Sequence, residues 1–482
     1  MIRFAVPSRP FPFSITVAVI STLFLAACQS PPSDAGFTAV QKRISDGTGL
    51  AVQWNQHSTE DAATDQAVAG LLAHDLTVDR AVQIALLNNR HLQATFENLG
   101  VAQADLVQAG LLRNPVFDLG VRFPDRGPSA TYLDMGVAFD FLDIAMLPAR
   151  KKIAAEHFKQ TQAAVCDQVL TLVARTSADF YACQAAGQLV DLRKTIRQAT
   201  LAALTAATKL HDAGNLTDLD FANQRAEDIR AQIDLADAQA VDADAREQVN
   251  DRLGLTGPQV HWTAARPLPE IPANDGLAGA DLESFAVLHR EDLAIARDEL
   301  YAQANTLGIA DQYRFLDQAT VGPEFERETD SQWRIGPSLT VPIPIFDQGQ
   351  ARLARAQALF LQAIQNYNAQ LIDVRSDVRA AQARLSHART TALLYRDQLL
   401  PVEQDRLDQT QLQYNGALVG VFQLLQVRRE QIDATAHYVD ARRDYWTARV
   451  DLERAIGSRL AAAATQPSHA STQPDDFQGE HP

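Results

Sequence analysis

The sequence predicts an α+β fold. Barrel-type strand pairs, four strands per chain, run into long antiparallel coiled-coil helices in two structural repeats. Three observations predict it. Segments such as Trp333-Arg334-Ile335-Gly336-Pro337-Ser338-Leu339-Thr340-Val341 alternate apolar with small or polar residues, the period of a strand wetted on one face. After a turn at Asp347-Gln348-Gly349, the residues Phe360, Ile364, Tyr367, Leu371, Val374, Val378, Ala381, Leu385, Ala388, Ala392, Tyr395 and Leu399 recur at steps of four and three. That is a heptad seam held for more than about five heptads. The arrangement also occurs twice. Arg225, Glu227, Ile229, Ala231, Asp237, Ala238, Ala245, Arg246 and Gly254 recur 203 positions later as Arg428, Glu430, Ile432, Ala434, Asp440, Ala441, Ala448, Arg449 and Gly457. A duplicated strand pair feeding a coiled coil points to a conduit rather than an enzyme pocket.

The first 27 residues read as a leader. Arg3 and Arg9 precede an apolar run from Ser14 to Ala27, shorter than the ~20 residues a spanning helix needs. The run ends Leu25-Ala26-Ala27-Cys28, which resembles a bacterial lipobox and makes Cys28 the expected lipidation site. Gln29 stands where an inner-membrane retention signal would carry Asp, so the resemblance favours the outer membrane. Each buried acyl CH2 adds ~0.8 kcal/mol of membrane affinity. Residues 28–75 are polar and read as an irregular lipidated tether.

The first repeat spans residues 76–255. Thr77 caps a helix expected to run to about Leu112, with Asp79 in its first turn. Asn114-Pro115 ends it. A strand follows, with Phe117, Leu119, Val121 and Phe123 on one face and Asp118, Gly120 and Arg122 on the other. After a turn at Pro124-Asp125-Arg126-Gly127, the return strand puts Leu133, Met135, Val137, Phe139 and Phe141 on the apolar face. Pro148 suits the first turn of a long helix continuing to Leu210, with a seam at Leu192, Ile196, Ala199, Ala203, Ala206 and Leu210. Ala213-Gly214-Asn215 breaks it, and a return helix ends at Gly254.

Residues 256–280, with Pro258, Pro267, Pro269 and Pro272, read as a linker. The second repeat, 281–458, follows the same order: a helix from Leu282 to Leu316, a strand from Ala319 to Phe325, and a return strand from Trp333 to Ile345. A long helix from Ala351 to Tyr414 and a last helix ending at Gly457 complete it. Residues 459–482 form a polar tail, expected to be disordered. Four strands cannot close a membrane barrel, whose smallest form has about eight. The chain must therefore assemble about an axis.

In this order and twice over, these residues resemble the TolC-type outer-membrane efflux channel family, in its lipoprotein branch. The resemblance rests on Leu76-Thr77-Val78-Asp79-Arg80-Ala81-Val82, on Val107-Gln108-Ala109-Gly110-Leu111-Leu112-Arg113-Asn114-Pro115, and on Val341-Pro342-Ile343-Pro344-Ile345-Phe346-Asp347-Gln348-Gly349. Tyr414 with Gly420, Leu424 and Leu425, closing at Gly457, completes it. It implies a homotrimer sharing one outer-membrane barrel, continued by a periplasmic helical tunnel. The implied partners are a periplasmic adaptor protein, an inner-membrane pump of the resistance-nodulation-division type, and outer-membrane lipid. The implied docking tips are Gly214, Asn215, Leu216 and Thr217, and Leu418, Val419 and Gly420, although the glycines of the second tip are shifted. Where some members close the tunnel with aspartates, this chain has Gln423 and Gln426, and Asp218 and Asp220 beside the first tip are substitute candidates for a constriction.

Composition excludes other classes. The net charge is −16, and loss of Arg3 and Arg9 with the leader takes it to −18. That argues against a nucleic-acid partner and fits passage of cations or neutral solutes. No phosphate loop, nucleophile elbow or metal-type cysteine cluster is present, so no cofactor, metal site or enzyme activity is expected. The eleven histidines form no i, i+4 pair, and Met135 and Met146 are the only methionines beyond the leader. Cys166 and Cys183, 17 residues apart on one helix, lie about 25 Å apart by helical rise and cannot pair within it. The alternatives are a lipid-anchored periplasmic coiled-coil adaptor or scaffold, which should carry a lipoyl-like β segment, and a type I secretion channel. The exported substrate is left open.

Overall fold

The computed structural model describes residues 34–56, 59–123, 131–273, 281–315, 319–327 and 332–460. The leader, Cys28, the turn at Pro124–Gly127, the end of the linker at 274–280 and the tail from 461 lie outside them. The chain divides into two compact units, one built on 99–158 and 304–356, the other on 37–98, 159–303 and 357 onward.

The first unit carries a four-stranded antiparallel sheet in the order β1 (Val116–Arg122), β2 (Tyr132–Asp140), β3 (Thr320–Arg327), β4 (Trp333–Thr340). Each repeat contributes one hairpin, and β2 pairs with β3 across them. The register places Leu119, Met135, Phe325 and Ile335 in one row, and Phe139, Val321 and Leu339 in another. Directly opposed residues share a face, so the apolar sets of the four strands coincide except at Arg327, which falls opposite Leu133 and Trp333. Strand β4 was expected to reach Ile345 and stops at Thr340. Pro342 and Pro344 have no N–H to give a ladder. In β3, Pro323 lies opposite Pro337. At the adjacent Gly322 a Cβ would fall 1.7 Å from the Val137 carbonyl oxygen, so only glycine lets β2 come this close.

Helix α5 (Phe141–Asp212) follows β2 directly, so Pro148 sits inside the helix rather than in its first turn. The earlier start has a cap: Asp140 Oδ1 accepts from Asp143 N at 3.1 Å. The buried Asp143 carboxylate in turn holds Arg150 at 2.6 Å and Arg113 at 3.5 Å.

In the second unit, the expected irregular tether contains two helices, α1 (Phe37–Thr48) and α2 (Thr59–Leu72). Phe37, Val40 and Ile44 fall at helical spacing. Val40 and Ile44 are buried, and the Phe37 ring meets Phe96 edge-on at 5.1 Å. The helices expected over 77–112 and 282–316 are each broken. The first becomes α3 (Val78–Asn88) and α4 (Arg90–Ala109). The other becomes α7 (Leu282–His289) and α8 (Glu291–Gln312). Each break seats the C-cap glycine of its own repeat. Helix α6 (Asp218–Leu253) ends at Gly254 with φ +64°, and a Cβ there would lie 2.8 Å from Asn88 O. Asn88 Nδ2 donates to the Leu253 and Gly254 carbonyls at 2.9 and 2.8 Å. Helix α11 (Val421–Ile456) ends at Gly457 with φ +73°, where a Cβ would lie 3.0 Å from His289 O. The two glycines that mark the 203-residue offset thus do the same work twice.

The core of the second repeat joins Phe285, Val374, Val378, Ala381, Leu385, Ala392, Tyr445 and Leu452. Its first-repeat counterpart joins Ile84, Phe180, Val249, Leu253 and Trp262. The heptad seam of α9 (Gln350–Leu394) is therefore buried from Val374 to Ala392, but Leu399 is exposed. In α5, Ala207 rather than Ala206 is buried, and Leu210 is exposed. The expected single helix from Ala351 to Tyr414 is divided by a π turn at Tyr395–Leu399 and resumes as α10 (Leu400–Asn415). The linker is packed, not loose. Trp262, Leu268 and Ile271 are buried, Trp262 Nε1 donates to Asn250 Oδ1 at 2.8 Å, and Ala264 bridges Leu76. Cys166 and Cys183 are free and buried, and burial pushes their thiols up to about 12 and about 11. Among the described residues no helix is long and apolar enough to cross a membrane.

Candidate docking tips and passage lining

Each repeat folds its long helices into a hairpin, and the turns are built alike. At the first, Asn215 N donates to Leu210 O at 2.8 Å and Gly214 N to His211 O at 2.8 Å, with Gly214 at φ +73°. This is a left-handed helix stop that satisfies the last carbonyls of α5. Thr217 then caps α6, its Oγ1 accepting from Asp220 N at 3.1 Å. At the second, Leu418 N donates to Gln413 O and Ala417 N to Tyr414 O, both at 2.9 Å. The left-handed residue is Ala417 at φ +57°. The 203-residue offset maps Gly214 onto Ala417 and Thr217 onto Gly420. The glycines of the second tip look shifted because alanine holds the strained position and Gly420 has become the N-cap of α11, with no side chain to cap it.

Gly214 and Gly420 have nothing within 4 Å of a built Cβ, and Leu418 and Leu219 are 78% and 71% exposed. The tips are thus open surfaces whose backbone demands are local. Asp218 and Asp220 occupy the first turn of α6 and have partners. His211 Nε2 lies 2.8 Å from Asp218 Oδ1, and the Asp220 carboxylate accepts from Thr217 Oγ1 at 2.7 Å. The His211 ring also stacks on Phe221 at 4.7 Å, so one side chain braces both helices of the tip.

Gln423 and Gln426 are exposed on α11 and line a cleft of about 890 Å³ with Ile196, Thr200, Glu227, Arg406 and Arg429. Asp218 and Asp220 are not among the residues that line it. Ion pairs cross between the hairpins around this cleft. Arg429 of α11 binds Glu227 of α6, and Arg193 of α5 binds Asp433 of α11 at 2.7 Å. Within the second hairpin, Arg406 of α10 reaches Glu430 of α11 at 2.7 Å. Sequence reading missed these partners. Arg429 and Glu227 are 202 positions apart, and only the folded hairpins bring them together.

The sheet has two unlike faces. Phe117, Leu119, Val121, Phe139, Val321, Ile335 and Leu339 are all more than 40% exposed on one. On the other, the register sets Asp118, Gly136, Glu324 and Gly336 in one row and Gly120, Asp134, Glu326 and Arg334 in the next. Tyr132 Oη donates to Glu326 there. Edge strands β1 and β4 have a partner on one side only. Among the described residues no three His, Cys, Asp or Glu side chains converge as a metal site.

This combination of sheet and hairpins is matched in known proteins. Residues 290–458 match the family described as outer membrane efflux protein. The chain is 22% identical over 389 residues to the cobalt-zinc-cadmium resistance protein CzcC of Cupriavidus metallidurans, covering 80% of this chain and 91% of that one. A membrane protein from Pseudomonas aeruginosa shares the fold with a TM-score of 0.68 at 19% identity, over 79% of this chain and 93% of that one. The CmeC outer membrane channel of Campylobacter jejuni has a TM-score of 0.68 at 16% identity, over 79% and 85%. The family match begins at the break between α7 and α8 and runs to the end of the second repeat, and the broken helix, the hairpin and the glycine seat recur in the first.

Proposed function

We propose that this chain is the outer-membrane channel of a tripartite efflux system. It passes small solutes, drugs or metal ions, delivered by an inner-membrane pump of the resistance-nodulation-division type and a periplasmic adaptor. One observation carries the reading. The sheet exposes a face that is apolar apart from Arg327 at the end of β3 and leaves both edges unpaired, yet it is continuous in sequence with long helices. In lipid an open edge costs several kcal/mol for each unsatisfied backbone group, so β1 must pair with β4 of another copy. Three copies give twelve strands, a size within the range of membrane barrels. The apolar face then meets lipid and the acidic face lines the passage, where its charge favours cations. The adaptor meets Gly214–Thr217 and Leu418–Gly420 at the exposed tips. The lipid on Cys28 anchors the chain to the outer membrane.

A relative named for cobalt, zinc and cadmium resistance supports metal ions among the solutes. The test is a deletion strain challenged separately with cobalt, zinc, cadmium and a fluorescent drug, with the chain supplied back on a plasmid. Outer membranes from the same cells are run unheated and heated on gels. Efflux restored together with a heat-modifiable trimer supports the reading. A monomer released from membranes by salt overturns it in favour of an adaptor.

A further inference from the structure

We propose that the cleft enclosed by α3, α5 and α11 binds a small planar aromatic anion, an aryl carboxylate or sulfonate. The inference does not depend on the conduit reading. The cleft holds about 310 Å³, the lower end of the range for small-molecule sites. Its floor is aliphatic, from Leu170, Val173 and Val450. One wall is aromatic and fixed. The Trp446 ring stacks on Tyr181 with centroids 5.4 Å apart, meets Tyr445 edge-on at 5.2 Å, and donates its Nε1–H to Pro269 O at 2.9 Å. Such a wall is set in place before a flat ligand arrives, which cuts the ordering cost of binding.

The duplication shows how an aromatic ring is held at this point of the fold. In the first repeat, Arg246 and Asn250 stand eight and four residues before the cap glycine of α6. They grip the indole of Trp262. Arg246 lies 4.5 Å over the ring and donates to the Trp262 carbonyl at 2.6 Å, and Asn250 Oδ1 accepts from the indole Nε1. The same positions of α11, 203 residues on, are Arg449 and Glu453, and both line the cleft. The residue at that offset from Trp262 is Thr465, which has no ring. The second repeat thus keeps the grip, but its own chain carries no aromatic residue at the matching position. The charge of the cleft points to an anion. Arg449 lies 3.7 Å from Glu453 and Arg459 lies 3.5 Å from Asp79, and neither guanidinium makes a hydrogen bond among the described residues. Arg454, by contrast, is taken up by Asp167 at 2.7 Å and Thr171 at 3.1 Å. Burial raises the Glu453 carboxyl and so favours its neutral form, which leaves Arg449 and Arg459 in excess over Asp79. A carboxylate or sulfonate gives them the short, charge-assisted bonds they lack.

The test titrates 2-naphthoate into the purified full chain in detergent and reads the heat of binding, with thermal unfolding alongside. The neutral 2-naphthamide and the cationic 2-naphthylmethylammonium are the matched probes. The site predicts saturable binding of one naphthoate per chain, a raised melting temperature, and naphthamide weaker by at least about tenfold. Arg449→Gln and Arg459→Gln should each weaken naphthoate by about tenfold and leave naphthamide nearly unchanged. Arg459 is 41% exposed and loosely paired, so its variant tests the charge without unfolding the chain. Glu453→Gln should bind naphthoate at least as well as the wild type. Four results overturn the proposal: no saturable binding up to about 1 mM, equal binding of the three probes, tighter binding of the ammonium, or unchanged affinity in both arginine variants. Heat that scales with detergent and not with protein counts as no binding. Every readout is independent of passage, so failure here leaves the conduit reading standing.

Discussion

Arginine at Leu119 and at Gly120 separates the two faces of the sheet. Leu119 is the middle residue of the seven-residue β1, and its side chain is on the apolar face, 57% exposed. In the proposed barrel the nine residues of β2, at ~3.4 Å each and a tilt of ~40°, would span about 23 Å of membrane height. That matches an apolar band of about 25 Å and puts Leu119 near its midplane. Leu119→Arg should therefore cost roughly 2–4 kcal/mol per copy, about thirtyfold or more against the inserted state. Gly120 is one residue on and points the other way. Its built Cβ meets Asp134 Cβ at 3.5 Å and Oδ2 at 3.8 Å, so Gly120→Arg sets a guanidinium beside a carboxylate, with a change within about 1 kcal/mol. The assay is refolding from urea into lipid vesicles, read as the unheated trimer band across a denaturant series. Equal loss in both variants, or greater loss at Gly120, would refute the assignment of faces.

Four further outcomes are expected. Cys28→Ala should abolish incorporation of labelled palmitate, and labelling that persists would remove the lipid anchor. Gly457→Ala and Gly214→Ala each force alanine to φ +73°, costing about 1–2 kcal/mol. Only at Gly457 must a backbone carbonyl at 3.0 Å also yield, so its variant should unfold at the lower denaturant concentration. Tryptophan at Gly420, where no atom lies within 4 Å of the built Cβ, should leave trimer yield intact while export falls. Export that falls only in proportion to the trimer would make this glycine purely structural. Glu291 is buried beside Arg43, and burial pushes its carboxyl from 4.5 up to about 7. A raised carboxyl binds more protons folded than unfolded, so its contribution is full below pH 4.5 and is lost as pH rises through about 7. Glu291→Gln should flatten the stability profile over that window in thermal melts, and an unchanged slope would deny the shift.

The sequence by itself determined the two periods, the duplication and the helix stops. Strand alternation, a heptad seam and the glycines at 254 and 457 are local or fixed-offset signals, and the structure carries each at or near its expected place. Ala417 in the left-handed position breaks the glycine rule at a cost of about 1 kcal/mol, which only the hydrogen bonds from Gln413 and Tyr414 reveal.

What tertiary structure decided lies in contacts far apart in sequence. Another helix ends against each of the breaks at Asn89 and Arg290; Asn89 also caps α4, its Oδ1 accepting from Leu92 N at 2.9 Å, whereas Arg290 carries no such local signal. The linker prolines suggested a spacer, yet Trp262 and Leu268 are buried because the segment crosses the helices it joins. The Arg429–Glu227 and Arg193–Asp433 pairs join hairpins some 200 or more positions apart, and charge spacing along one helix cannot name a partner on another. The helix expected to run from Ala351 to Tyr414 contains Pro401, and a proline inside a helix can kink, break or widen it; only the structure shows the π turn at Tyr395–Leu399.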